Sequence, residues 1–200
     1  MVVEYYESMG FRCEACNLKS GSFRYKCSPT GHLGNFSYFA IRSGDEEDET
    51  LFYIFHNATV QSKHNVHVFT TPDIVISKTK DAAATTDYYE TRKKLTYIPN
   101  DQLISFCEAK HLKPFPELMI GFVGTVNELL PQCLAEIPDY SMNAHLAPSL
   151  LMSGCFNKST GRIRVSLEER YNLNMFDNAI DPIFSIRYRE LRGEEPVKRL

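Results

Sequence analysis

Apolar and polar positions change their rhythm once along this chain, near residue 100. Before that point aromatic and β-branched residues alternate with polar ones over short runs: GSFRYKC (21–27), GNFSYFAIR (34–42), TLFYIFHN (50–57), NVHVFTT (65–71), DIVISK (73–78) and RKKLTYI (92–98). A period of two residues is the mark of a strand with one face buried. Turn formers separate the runs: Ser28-Pro29-Thr30-Gly31, the acidic run Asp45 to Glu49, and Thr71-Pro72-Asp73. This half therefore predicts an antiparallel, strongly curved sheet, open barrel or sandwich. KDAAATTD (80–87) reads as a mobile loop.

After Pro99 the pattern lengthens. In NDQLISFCEAKHL (100–112) the residues Leu103, Ile104, Cys107 and His111 fall at helical spacing behind the capping candidates Asn100 and Asp101. PFPELMIGFVGTVNELLPQCLAEI (114–137) predicts a second helix or a broken pair, because Gly121, Gly124 and Pro131 oppose one straight rod. SMNAHLAPSLLMSG (141–154) predicts a third helix. Strand alternation returns in GRIRVSLEE (161–169) and PIFSIRYREL (182–191). The expected class is α+β: a β-rich N-terminal half, a helical segment, then one or two closing strands. As one domain it divides into 1–43, 44–98, 99–154, 155–192 and a frayed tail at 193–200.

Composition makes this a globular chain of 200 residues, 43% hydrophobic and 24% charged. Its formal net charge of −3 argues against a large phosphate-tracking surface. No apolar run approaches the roughly 18 residues that cross a bilayer, so no membrane partner is expected. Read as a native start, Met1 lacks the basic and apolar regions of a secretory leader, which predicts a place in the nucleus or cytoplasm. Six cysteines and the sequons at Asn35, Asn57 and Asn157 hold open a secreted, disulfide-bonded glycoprotein as an alternative.

The most specific chemistry lies in FRCEACNLKSGSFRYKCSPTGH (11–32), which sets Cys13, Cys16, Cys27 and His32 at a spacing open to zinc. A Cys-x-x-Cys turn supplies two ligands, a β-hairpin returns Cys27, and the following turn returns His32. Three cysteines and a histidine form a closed structural set with no open position. A competing completion uses Cys107 and His111, four apart on the expected helix.

Phosphate loops, dinucleotide fingerprints, nucleophile elbows and His-Glu-x-x-His motifs are absent. A Cys/His nucleophile pair would have to come from Cys107, Cys133 or Cys155 with His111 or His145, and nothing in the sequence joins them. Bases interleave with aromatics at Arg24 and Lys26, and again at Arg187 and Arg189, a pattern suited to single-stranded nucleic acid. Arg92-Lys93-Lys94 adds a third basic group. The expectation is a non-enzymatic, intracellular interaction or scaffolding domain with a structural zinc and a protein partner, inside a larger assembly. Nucleic acid is the rival partner.

Overall fold

Five of the alternating runs hold strands in the structure, a computed structural model that describes residues 1–28, 31–43, 49–135, 145–179, 186, 193 and 197–200. They are β2 (Tyr38–Arg42), β3 (Thr50–His56), β5 (Phe69–Thr70), β6 (Ile74–Ser77) and β8 (Leu95–Tyr97), preceded and interleaved by β1 (Arg12–Cys16), β4 (Val60–Gln61) and β7 (Ala83–Thr85). The fold is mixed α and β, with the large antiparallel sheet early and the helices after it. Contacts gather the chain into two units: 6–104, and 1–5 with 105–200.

In the first unit β1, β2, β3 and β6 pair antiparallel in that order. The register Ile41↔Phe52, Phe39↔Ile54 and Ile54↔Ile76 puts those apolar side chains on one face. The helix α1 (Val2–Ser8) contributes Tyr6 to that face, where its ring meets Phe52 at 4.8 Å and Phe11 at 5.9 Å. The other face carries Tyr38, Ala40, Tyr53 and Phe55, with rings of Tyr38 and Tyr53 5.8 Å apart. Alternation was thus a sound guide where one strand has two distinct faces.

It failed for GSFRYKC. Residues 23–27 lie across the apolar face without joining the sheet: Phe23 stacks on Phe39 at 4.9 Å and Tyr25 meets His56 edge-on at 5.5 Å. Segment 80–87, expected as a loop, instead holds β7, which pairs with β8. The zinc hairpin expected over 11–32 is not supported. Its Cys-x-x-Cys is not a turn but strand β1, and among the described residues no three of His, Cys, Asp or Glu are grouped to hold a metal.

The second unit is a parallel arrangement that the periodicity concealed. β9 (Leu103–Lys110, its residues from Ser105 onward in this unit), β10 (Ser149–Met152) and β11 (Asn174–Phe176) lie in sequential order, all parallel. Between them run α2 (Pro116–Leu129) with the short α3 (Gln132–Ala135), and α4 (Lys158–Arg170). This is a βαβαβ path, in which each parallel return needs a crossover that a helix supplies.

Three expectations are corrected here. LISFCEAK is a strand, not a helix, and SLLM is a strand, not the end of a third helix. SLLM, and LISFC within the longer strand, are short apolar runs largely buried on both faces, which periodicity cannot tell from helix. GRIRVSLEE is helical: Asn157 caps α4, its side chain accepting from the amides of Ser159 and Thr160, while the Thr160 hydroxyl accepts from the Asn157 amide. Residues 141–144 and all of 182–191 except Ile186 lie outside the described residues, so the expected closing strand there is not addressed.

Candidate active site at the carboxyl end of β9

In parallel α/β sheets, ligands bind beyond the carboxyl ends of the strands, where loops and helix starts converge. β9 ends in Cys107-Glu108-Ala109-Lys110, paired with Ser149, Leu150, Leu151 and Met152 of β10. A period of two sends Phe106, Glu108 and Lys110 to one face, the face that α2 covers. Phe106 meets Phe122 of α2 at 5.9 Å. Beyond that contact the helix leaves a hollow of about 360 Å³, lined by Glu108, Lys110, Glu117, Gly121, Phe122 and Leu150 among others.

Glu108 and Lys110 stand side by side in it, Nζ to Oε2 at 2.6 Å, with side-chain exposures of 16% and 34%. Such a half-buried ion pair costs desolvation on both partners and is weak evidence for stability. Its position facing an open hollow suits binding. Glu117, in the first turn of α2, brings a second carboxylate to the same wall. Gly121 opens the hollow, since a Cβ built there would meet nothing within 4 Å.

The two loops above this strand end are tied together. The amide of Ser153 donates to the carbonyl of Lys110 (3.0 Å) and that of Gly154 to Leu112 (3.1 Å). Gly154 has to be glycine: a Cβ would lie 2.7 Å from the Lys113 Cα and 2.8 Å from its Cγ. The Asp177 carboxylate accepts from the Phe156 amide at 2.9 Å, holding the start of α4 against the end of β11. The hollow therefore sits on a braced frame.

The residues singled out by spacing are dispersed. Cys13 and Cys16, three apart on β1, point to opposite faces of the sheet and pair with Ile41 and Tyr38 respectively. Burial, helped by the Glu7 carboxylate, pushes the Cys13 thiol up to about 11. The exposed Cys27 turns its thiol to the Tyr25 carbonyl, and the His32 Nδ1 accepts from the Gly34 amide at 3.1 Å, capping a single 3-10 turn. None of the six cysteines is in a disulfide.

The competing completion is no better placed. On β9, Cys107 is buried, and His111 follows the strand four residues later, roughly 13 Å along an extended chain. Burial pushes the Cys133 thiol up to about 12, which disfavours the thiolate a nucleophile needs.

Of the bases read as nucleic-acid contacts, Lys26 is 1% exposed. Its amine donates to the carbonyls of Ser28 and Asn57, both at 2.8 Å, and Asn57 Nδ2 returns a bond to the Lys26 carbonyl at 2.7 Å. It is a clamp between segment 23–28 and the end of β3, not a phosphate ligand. Arg24 is half-buried, and Arg187 and Arg189 lie outside the described residues.

Glu108, Lys110 and Glu117 were missed by spacing. The available signal was two charges, two residues apart, closing an apolar run; reading that run as helix placed them on different faces. No protein-family profile, curated protein or solved structure matches the chain.

Proposed function

We propose that the chain is a divalent-cation-dependent hydrolase acting on phosphodiesters, with its site in the hollow beside β9. The observation that carries this reading is the Glu108–Lys110 pair, side by side at the carboxyl end of a parallel strand and facing the hollow. Carboxylate oxygens are hard donors. A magnesium-class ion takes one or two of them and fills its shell with water and substrate phosphate oxygens. Glu108 and Glu117 supply that number, and the donor set suits magnesium or manganese better than zinc.

A bound ion of this kind supplies charge for the phosphoryl oxygens and an activated water. Lys110 binds a phosphate oxygen as a point charge and neutralises what develops on it during attack. Phe122 and Leu150 give the hollow an apolar wall beside these charges.

The test is hydrolysis of bis(p-nitrophenyl) phosphate with magnesium or manganese. Glu108→Gln and Lys110→Met are each expected to lower kcat by about 10²-fold or more, with circular dichroism unchanged. Glu117→Gln should raise the manganese requirement first. No cation-dependent turnover, or full activity in Glu108→Gln, ends this reading.

The non-enzymatic interaction domain is the second reading, favoured by Ile120 and Val165, exposed at 60% and 46% on α2 and α4. It is supported if Glu108→Gln changes nothing while Ile120→Asp abolishes capture of a protein partner.

A further inference from the structure

The hairpin β4–β5 and the loop joining β7 to β8 meet through one line of rings. Tyr97 contacts Phe69 at 4.8 Å, Phe69 contacts Tyr88 at 5.3 Å, and Tyr88 contacts Tyr89 at 4.9 Å. The line is anchored below: the Gln61 amide donates to the Ile98 carbonyl, the Ile98 amide to Thr59, and Asn100 Nδ2 to the Gln61 carbonyl. Val60, on β4, and Ile98, next after β8, are fully buried. Tyr88 is the exposed ring of the line, at 46%, and the β4–β5 connection exposes Val66 at 62% and Val68 at 40%.

Cations lie on the same two connections. Lys63 and His67 are exposed on the β4–β5 connection, and Arg92, Lys93 and Lys94 are exposed on the approach to β8. Arg92 is held in the left-handed region (φ 53°), with its amide donating to the Tyr89 carbonyl at 2.8 Å. A non-glycine residue adopts that conformation at a cost, which the tight turn imposes here. Two acids, Asp87 and Glu90, share the loop, and Lys94 lines a hollow with Asp87. That leaves Lys63, Arg92 and Lys93 as the cations available to a phosphate chain.

We infer that Tyr88, flanked by Lys63, Arg92 and Lys93, is a binding surface for single-stranded nucleic acid. An exposed tyrosine braced edge-on by other rings offers a stacking platform that is already ordered. Every base has a face to lay on it, and the cations follow the backbone. Duplex DNA hides its base faces, so this surface selects unpaired strands. The inference deepens the proposed function by naming the polymer that carries the phosphodiester, and it has its own readout.

Binding of a fluorescein-labelled single-stranded thymidine oligonucleotide is measured by anisotropy in EDTA, on Glu108→Gln protein, so that no cleavage enters. Tyr88→Ala is expected to weaken binding about 5- to 140-fold. Arg92→Gln with Lys93→Gln should lower the slope of log K against log salt by about 1.4, two contacts at about 0.7 each. With Glu108 intact, Tyr88→Ala and the Arg92→Gln, Lys93→Gln double variant should both hydrolyse bis(p-nitrophenyl) phosphate like the unmodified protein. Unchanged oligonucleotide affinity in Tyr88→Ala, or equal binding of duplex and single strand, overturns the surface and leaves the hydrolase standing. Loss of small-diester hydrolysis in Glu108→Gln with no loss of oligonucleotide binding is the expected separation of the two.

Discussion

Alanine substituted at Gly154 and at Gly121 should move the stability of the second unit in opposite directions. At Gly154 the new methyl would sit 2.7 Å from the Lys113 Cα, 2.8 Å from its Cγ and 3.2 Å from the Leu112 carbonyl oxygen. The Cγ can swing away, but two of the three neighbours are backbone, and that backbone is fixed by the Gly154–Leu112 and Ser153–Lys110 hydrogen bonds. The loops must part by more than half an ångström, and overpacking of this kind costs about 2–3 kcal/mol. For a chain of this length that lowers Tm by roughly 4 to 12 °C. Gly121, in the interior of α2, faces open space, and alanine there removes glycine's backbone entropy, a gain of up to about 1 kcal/mol. Urea unfolding followed by circular dichroism reads both. Because the parted loops lead directly from Lys110, Gly154→Ala should also lower diester hydrolysis. A Gly154→Ala protein as stable as its parent would refute the close-approach argument.

Lys26 predicts a pH effect. Burial lowers its folded pKa to about 8 from an ordinary 10.5, so the unfolded chain holds the proton more tightly and stability rises between about pH 8 and 10.5. The penalty is complete below that window and amounts to about 3 kcal/mol at most, reduced by the two carbonyls that solvate the amine. Lys26→Met should flatten this rise relative to the parent in urea titrations across that range, and an identical profile would contradict it. At β1, Cys16→Ser should leave hydrogen exchange over residues 11–28 unchanged after chelation, since the strand, not a metal, orders this stretch; one zinc per chain, lost in that variant, would overturn the strand reading.

What the sequence determined by itself is the antiparallel part. A strand that buries one face writes a period of two into its residues, and β2, β3, β6 and β8 are legible for that reason. The split of the helical segment at Pro131 was legible too, because proline cannot continue α2 into α3. What only the tertiary structure decided is the parallel part and the site on it. β10 and β11 bury both faces, as β9 largely does as far as Cys107, so LISFC, SLLM and NMF carry no alternation, and their direction depends on crossovers of dozens of residues. Glu108 and Glu117 lie nine residues apart on a strand and a helix, and only the return of α2 over β9 brings them to one hollow. The same rule misled at Cys13 and Cys16. Close spacing suggested one ion, but the stretch between them became a strand, which turns side chains three apart to opposite sides.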